Sequence, residues 1–296
     1  MFKETPYENP IHNKDSSING ITRREFLKRS GMLLLAGVLA INGGVSCSDE
    51  KGREKFTESE SFDLDMKLIA EEVKRLGSTP NKAEQEMWNK AYQRTRQTVP
   101  VTEETLRLVG TYLRQTIENM GSSKNEYLSH AADVILQQSQ MQLLRISIDG
   151  FIRLEESELF AVVRTEIENN KIQFVLHIDG SQVLNNSNGL TFALALSHEA
   201  QHLEERFKYQ DSLARNLSLQ ERIEKQNQKR QSDPVSDETG AYAIQSEAIL
   251  ETFRLGVESE LPSDVVHVAA MYIRAGKNKD SQVWKSYIES RLGLKN

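Results

Sequence analysis

The run His198-Glu199-Ala200-Gln201-His202 has the residue types and spacing of a metal site. In a helix, His198 and His202 lie on one face about one turn apart, because residues four apart are neighbours on the helix surface. Both imidazoles can then bind a single Zn²⁺ at ~2.0–2.1 Å. Glu199 lies beside the first histidine, where its carboxylate can accept a proton from metal-activated water. The pattern predicts a zinc site with an adjacent general base.

The helix that must carry this motif is predicted over residues 190–207. Its sequence is LTFALALSHEAQHLEERF, and four apolar positions fall on one helical face: Leu196, Ala200, Leu203 and Phe207. A further helix is predicted to start near Ser236 and to run past Leu250. Two amphipathic segments, at 265–274 and 282–292, follow it, whereas residues 208–233 are strongly polar and are predicted to be part helix and part loop.

A strand hairpin is predicted before the motif helix. Residues 159–167 and 171–179 are rich in β-branched and aromatic residues, and Glu168-Asn169-Asn170 between them is typical of a tight turn. The alternating segment 145–149 predicts one extra strand. Residues 181–189 are rich in Asn and Ser and are predicted to be a loop.

A hairpin followed by a helix with the HExxH motif resembles the zincin metallopeptidases. In that family an edge strand borders the cleft and the motif helix follows it. The resemblance covers residues 160–260, about a third of the chain. It implies a zinc ion with one open position for water, and a peptide bond as the group that is attacked.

A zinc site with an open position needs a third protein ligand. The extended motif with a third histidine would need Gly and His at positions that hold Glu205 and Lys208. A downstream glutamate fits better, because Glu238 with Ala241 three residues later resembles the Glu-x-x-Ala pattern of glutamate-ligand zincins. The small residue lets the second helix pack closely against the first. Glu247 is the alternative ligand, and both glutamates cannot face one metal from one straight helix, since nine residues put them roughly half a turn out of phase.

The remaining folded part, residues 63–145, is predicted to be a helical region without a chemical cluster. Thr102 is predicted to cap a helix that ends at Gly121, and another helix is predicted over residues 126–145. The fold class that follows is α+β and mostly helical. An N-terminal helical layer precedes a zincin-like domain at 146–296, which contains the hairpin, the HExxH helix and the glutamate-ligand helix.

Residues 1–47 have the composition of an export signal. Residues 22–28 read TRREFLK, and the apolar run GMLLLAGVLAI follows. This segment resembles a twin-arginine (Tat) signal, whose pattern Ser/Thr-Arg-Arg-x-Phe-Leu-Lys is matched at every fixed position. That route serves proteins that fold, often around a cofactor, before they cross the membrane. The resemblance implies the twin-arginine export machinery as a partner, and the periplasm or cell envelope as the destination.

Cys47 follows the small residues at the end of this segment and resembles the lipid-modified cysteine of bacterial lipoproteins. Val45 and Ser46 suit the two positions before such a cysteine, whereas Gly44 departs from the usual Leu, Val or Ile. Lipid attachment at Cys47 is therefore one prediction, and cleavage after Ser46 without a lipid is the alternative. Residues 48–62 are charged and nearly devoid of apolar residues, which predicts a flexible tether.

The charge balance and the cysteine count exclude other classes. The chain has 37 basic and 43 acidic residues, giving a net charge of −6, and so lacks the basic surface expected of a nucleic-acid-binding protein. A single cysteine excludes an intramolecular disulfide and a Cys-rich zinc module.

These features predict an exported zinc-dependent peptidase with Glu199 as general base and a peptide or protein as substrate. His177, Tyr242 and His267 are candidates for the oxyanion donor, and none is assigned because the sequence does not place them beside the metal. The alternative is a non-catalytic zinc-binding protein of the cell envelope on a zincin-like fold. The unassigned helical region and the candidate lipid anchor favour that alternative.

Overall fold

A three-stranded mixed sheet forms from β1 (Leu144–Asp149), β2 (Ala161–Glu168) and β3 (Lys171–Asp179). β2 and β3 are the predicted antiparallel hairpin, and Asn169 and Asn170 at its turn have φ angles of 50° and 58°. Asparagine tolerates this left-handed region, and two such residues in succession match the twist of the flanking strands. β1 pairs with β3 in parallel, so the strand order is β1-β3-β2 and β2 lies at an edge.

The computed structural model describes residues 58–93, 98–150, 160–213, 216–257 and 261–294. Within them are ten helices: α1 (Glu58–Leu76), α2 (Lys82–Lys90), α3 (Glu103–Ser122), α4 (Glu126–Gln140), α5 (Gly180–Asn186), α6 (Gly189–Ser212), α7 (Leu219–Ser232), α8 (Pro234–Arg254), α9 (Ser263–Arg274) and α10 (Gln282–Arg291). In this described part of the chain, no helix combines the length and the apolar character needed to cross a membrane. The predicted export signal at 1–47 and the lipidation site Cys47 lie outside the described residues. Helix α1 begins inside the predicted tether.

Two predicted boundaries were wrong. The helix predicted over 126–145 ends at Gln140, because Gln142 takes a φ of 57° and the Leu143 N–H bonds back to the Gln138 carbonyl. This is a Schellman ending with glutamine where glycine is usual, so the sequence carried no stop signal. The loop predicted over 181–189 is mostly helix α5, because the Asp179 side chain caps it by accepting from the Gln182 N–H at 2.9 Å.

Side-chain caps fix where the two helices of the predicted site begin. Asn188 starts α6 by accepting from the Thr191 N–H at 2.8 Å. Asp233 starts α8 by accepting from the Ser236 N–H at 3.0 Å, and Pro234 occupies the first turn, where no intrahelical donor is needed. These caps satisfy otherwise unpaired N–H groups and contribute about 1 kcal/mol each.

Helix α6 runs through the centre of the molecule. Its apolar residues Phe192, Leu194 and Leu196 have no exposed surface. Full burial of a side chain of this size stabilises the fold by about 1.5–3 kcal/mol. The same hydrophobic core contains Trp88 and Leu128 of the predicted helical region, so that region packs directly against the elements that carry the predicted site.

Candidate metal centre

Helix α6 presents His198 and His202 one turn apart, as their spacing predicts. Leu196, Ala200 and Leu203 anchor the opposite face of the helix in the core. The exposed fractions of the His198 and His202 side chains are 12% and 4%. The two imidazole rings meet edge to face at 4.8 Å between their centres, with both Nε2 atoms directed to the same point.

Helix α8 brings Glu238 to that point. Ala241 has no exposed surface, and Gly240 lies so close to α6 that an added Cβ atom would come within 3.1 Å of Glu205 Oε1. The predicted close packing of the two helices is therefore present, and it uses Gly240 as well as Ala241. Glu238 is buried and its carboxylate faces both histidines.

Two nitrogens and two oxygens of these three residues converge. His198 Nε2 and His202 Nε2 are 3.1 Å apart, Glu238 Oε2 lies 3.3 Å from the first, and Glu238 Oε1 lies 3.4 Å from the second. Ligands held ~2.0–2.1 Å from a tetrahedral ion are separated by ~3.3 Å, so these contacts have the length expected around a metal ion of that size. Direct ion pairs contract to ~2.7–2.9 Å instead. In the described part of the chain, this is the group of histidines and carboxylates that could hold a metal ion.

The cluster has an outer layer on the side of His202. Asp237 Oδ2 lies 3.5 Å from His202 Nδ1 and 3.3 Å from Arg230 Nε. A carboxylate beside the second nitrogen of a histidine ligand is a usual support for metal sites. The contact of Asp237 with His202 is longer than a hydrogen bond, and the Nδ1 atoms of His198 and His202 are both buried without a hydrogen bond within the described residues.

The charges in the cluster depend on one another. Burial lowers the pKa of His202, but the carboxylates of Glu238 and Asp237 outweigh burial and raise it to about 10. Burial raises the pKa of Glu238, but the two histidines outweigh it and hold that pKa well below its usual value. Without a metal, therefore, Glu238 is ionised and His202 carries a proton that a metal must displace.

Glu199 lies at the sheet edge beside the cluster. It is buried, and its Oε2 accepts a hydrogen bond of 2.9 Å from the Val163 N–H on β2. Arg206, also on α6, donates to the Val163 carbonyl. Both backbone groups of Val163 face away from β3 and are thus bound by side chains of the motif helix. Glu199 Oε1 has no hydrogen-bond donor within the described residues, so it can still accept a proton.

A cavity of about 150 Å³ opens onto the cluster. It is lined by His198, Glu199, His202 and Glu238, and also by Tyr242, whose ring meets the His198 ring at 4.5 Å. Burial raises the pKa of Tyr242, so its phenol stays protonated.

Two of the three candidate oxyanion donors lie elsewhere. His177 Nδ1 pairs with Asp149 at 2.8 Å, and His267 Nδ1 pairs with Asp65 at 2.6 Å. Glu247, the alternative third ligand, is also separate from the cluster. Its Oε2 lies 2.9 Å from Lys277 Nζ in an ion pair. The structure therefore groups Glu238, and not Glu247, with the histidines.

Comparisons with known proteins identify no relative. A scan of protein-family models, a search of curated proteins and a search of solved structures all return no match to this chain.

Sequence reasoning missed three residues of the centre. Arg206 follows His202 by four residues and so lies on the same helix face, a signal that the spacing contains. Asp237 lies next to Glu238 in the first turn of α8, where its acidic side chain beside a candidate ligand was a signal. Arg291 lines the cavity from α10, more than 80 residues beyond the motif, and no local pattern indicates that placement.

Proposed function

We propose that the protein is an exported zinc-dependent peptidase. The observation that carries the proposal is the convergence of His198, His202 and Glu238 beside Glu199 in one cavity. Two imidazoles and one carboxylate are a ligand set used by catalytic zinc, with a fourth position left for water. Ca²⁺ and Mg²⁺ prefer sites made of oxygen ligands, so this donor set favours zinc over them.

The residues around the cavity can each be given a role in peptide hydrolysis. Bound zinc would polarise the peptide carbonyl and lower the pKa of a water ligand to about 7. Glu199 takes the proton of the attacking water at Oε1, while the Val163 N–H holds Oε2 in place. The water oxygen bonds to the carbonyl carbon, the C–N bond breaks, and Glu199 returns the proton to the leaving amine. One carboxylate and one amine are formed.

Tyr242 is suited to hold the oxyanion formed during this reaction. Its ring lies against His198, and its hydroxyl accepts a hydrogen bond of 3.2 Å from Arg291 Nε. Because that bond uses the oxygen as acceptor, the phenolic proton remains to be donated to a developing negative charge. Arg291 also makes the phenol a better donor by placing positive charge beside its oxygen.

The test compares metal content and hydrolysis of a mixed peptide library by the purified parent protein and by Glu199→Gln. We expect one zinc in both and a rate about 10²–10⁴-fold lower in Glu199→Gln, because the base is lost and the ligands remain. Glu204→Gln is a matched control on the same helix, since Glu204 pairs with Lys208 and does not line the cavity. Equal cleavage by Glu199→Gln and the parent would overturn the mechanism.

A non-catalytic zinc-binding protein is the second candidate, and one observation favours it. An extended peptide would pair with the free edge of β2, yet Glu199 and Arg206 already bind both backbone groups of Val163 there. Helix α7 also packs on this strand, with Gln226 donating to Thr165 Oγ1 at 3.2 Å. Under this alternative the parent binds one zinc and cleaves no peptide in the library.

Export is part of the same proposal and rests on the sequence of residues 22–28 and on Cys47. Replacing Arg23 and Arg24 by lysine should retain the precursor in the cytoplasm, which cell fractionation measures. Metabolic labelling with a fatty acid should mark the parent and leave Cys47→Ala unlabelled. A labelled Cys47→Ala protein would contradict lipid attachment at that residue.

A further inference from the structure

Arg291 places a guanidinium group in the wall of the candidate metal cavity. It ends helix α10, and its side chain lines the cavity with an exposed fraction of 15%. The guanidinium carbon lies 5.2 Å from the centre of the Tyr242 ring, whose other neighbour is His198 at 4.5 Å. Arg291 and His198 therefore both contact the Tyr242 ring.

Most of the hydrogen-bonding capacity of Arg291 is unused. A guanidinium has five N–H donors. Nε donates to Tyr242, and one terminal nitrogen forms a long ion pair with Asp264 Oδ2 at 3.7 Å, beyond hydrogen-bond distance. The guanidinium also lies beside the Tyr287 hydroxyl, where it opposes the rise that burial causes in the pKa of Tyr287. Within the described residues, neither terminal nitrogen makes a hydrogen bond of 3.5 Å or less. These two nitrogens form the fork that binds a carboxylate through two parallel hydrogen bonds.

Two other arginines line the cavity. Arg206 donates to the Val163 carbonyl at the sheet edge. Arg230 contacts Asp237 through Nε alone, so its terminal nitrogens, like those of Arg291, make no hydrogen bond within the described residues. Arg291 is the more buried of the two, with an exposed side-chain fraction of 15% against 40% for Arg230.

The distances limit what can lie between Arg291 and the metal ligands. The two ring contacts put the guanidinium carbon within about 10 Å of the His198 ring centre. Because this is an upper limit, at most about one residue of extended peptide, ~3.5 Å, fits once the contacts at both ends are made. The cavity has a volume of about 150 Å³. It is smaller than most ligand pockets, so only a short part of a substrate enters it.

We propose that Arg291 binds a carboxylate of the substrate one residue beyond the bond that is cut. This inference rests on the proposed peptidase function and deepens it by naming the substrate class. A carboxylate at that position has two sources, the free C-terminus of a peptide or an acidic side chain. In the first case the protein removes single C-terminal residues.

The experiment measures binding, which separates it from hydrolysis. Zinc-loaded Glu199→Gln protein is titrated calorimetrically with acetyl-Ala-Phe, with its C-terminal amide, and with acetyl-Ala-Glu-amide. We expect the free acid to bind about 10-fold or more tightly than the amide, because a charge-assisted pair is lost in the amide. In the double variant Glu199→Gln/Arg291→Gln, the ratio of the affinities for the acid and the amide should fall to about one.

Two further variants test whether the acid preference depends on the charge alone or on the guanidinium group of Arg291. Lys285→Gln removes the same charge from the same helix away from the cavity, and it should keep the acid preference. Arg291→Lys keeps the charge but not the fork, and it should lose most of the preference. If the circular dichroism spectrum or the melting temperature of Arg291→Gln differs from that of the parent, the acid preference of Arg291→Lys decides the proposal instead.

Each outcome decides the proposal. Equal binding of all three probes, a preference for a carboxylate that survives in folded Arg291→Gln, or no binding of any probe at millimolar concentration overturns it. Binding of acetyl-Ala-Glu-amide as tight as the free acid supports Arg291 and identifies the side-chain source. An Arg291-dependent preference in a parent that cleaves nothing supports Arg291 and removes the peptidase. Cleavage of peptides by a parent that shows no preference for a carboxylate supports the peptidase and overturns the role of Arg291.

Discussion

Two buried carboxylates of this protein, Glu238 and Asp65, each meet a histidine, but in different geometry. Asp65 on α1 accepts from His267 Nδ1 at 2.6 Å and from Arg274 at 2.7 Å, one donor for each oxygen. Glu238 on α8 instead has both histidine nitrogens at 3.3–3.4 Å. The first is a closed ion pair at charge-assisted distances, and the second leaves space at its centre.

The difference distinguishes a structural pair from a candidate ligand set. At Asp65 the positive charges of Arg274 and, when protonated, His267 compensate the carboxylate, so nothing else is required there. At Glu238 the ligand atoms point at one another, and a divalent ion at their centre would make their approach favourable. Removing members of the two groups should therefore have separable consequences.

The largest effect is expected for Glu238→Ala. Apparent zinc-binding free energies of ~10–16 kcal/mol are shared among few ligands, so losing one should weaken zinc binding on the order of 10³-fold or more. Zinc content after dialysis should fall from one equivalent to near zero. Glu247→Ala should keep its zinc, because Glu247 pairs with Lys277. Zinc lost from Glu247→Ala and kept in Glu238→Ala would reverse the assignment.

Removing the partners of Asp65 is expected to lower the stability of the protein without changing its zinc binding. The double variant His267→Ala/Arg274→Ala leaves the Asp65 carboxylate buried and uncompensated, which should lower the free energy of unfolding by about 3–5 kcal/mol. Urea unfolding measures this. Adding Asp65→Ala should recover part of the loss. If the double variant lost its zinc while still folded, the two groups would not be independent.

A smaller effect is expected at the outer layer of the metal cluster. Asp237→Asn weakens the support of His202 Nδ1 while leaving all three ligands in place. Competition with a chelator should show zinc affinity reduced by about 10–100-fold, with the stoichiometry still one. An unchanged affinity would show that Asp237 serves only its pair with Arg230.

The smallest expected effect is the pH dependence of zinc binding. The carboxylates raise the His202 pKa to about 10, so their pairing with His202 stabilises the metal-free fold below ~6.5 and is lost as the pH rises through about 10. Zinc must displace that proton, so its affinity should fall by roughly tenfold as the pH drops from 8 to 7. Calorimetry in buffers of different ionisation enthalpy should detect about one proton released. No proton release would contradict the proton on His202.

The sequence predicted the site better than it predicted the element boundaries around it. His198 and His202 needed only the helical repeat, whereas the Glu-x-x-Ala pattern favoured Glu238 and left Glu247 open as the alternative. The loop predicted at 181–189 was wrong because Asp179, at the end of a strand, also caps a helix. The end of α4 was missed because glutamine adopts a left-handed conformation that normally indicates glycine.

The sequence by itself determined the ligand types, their spacing, the hairpin and a mostly helical α+β fold, because these depend on contacts between near neighbours in the chain. Only the tertiary structure decided that Glu238 rather than Glu247 joins the histidines, that Val163 binds Glu199, and that Arg291 lines the cavity. These placements depend on how separate helices pack, and helix packing is set by a shared core to which residues throughout the chain contribute.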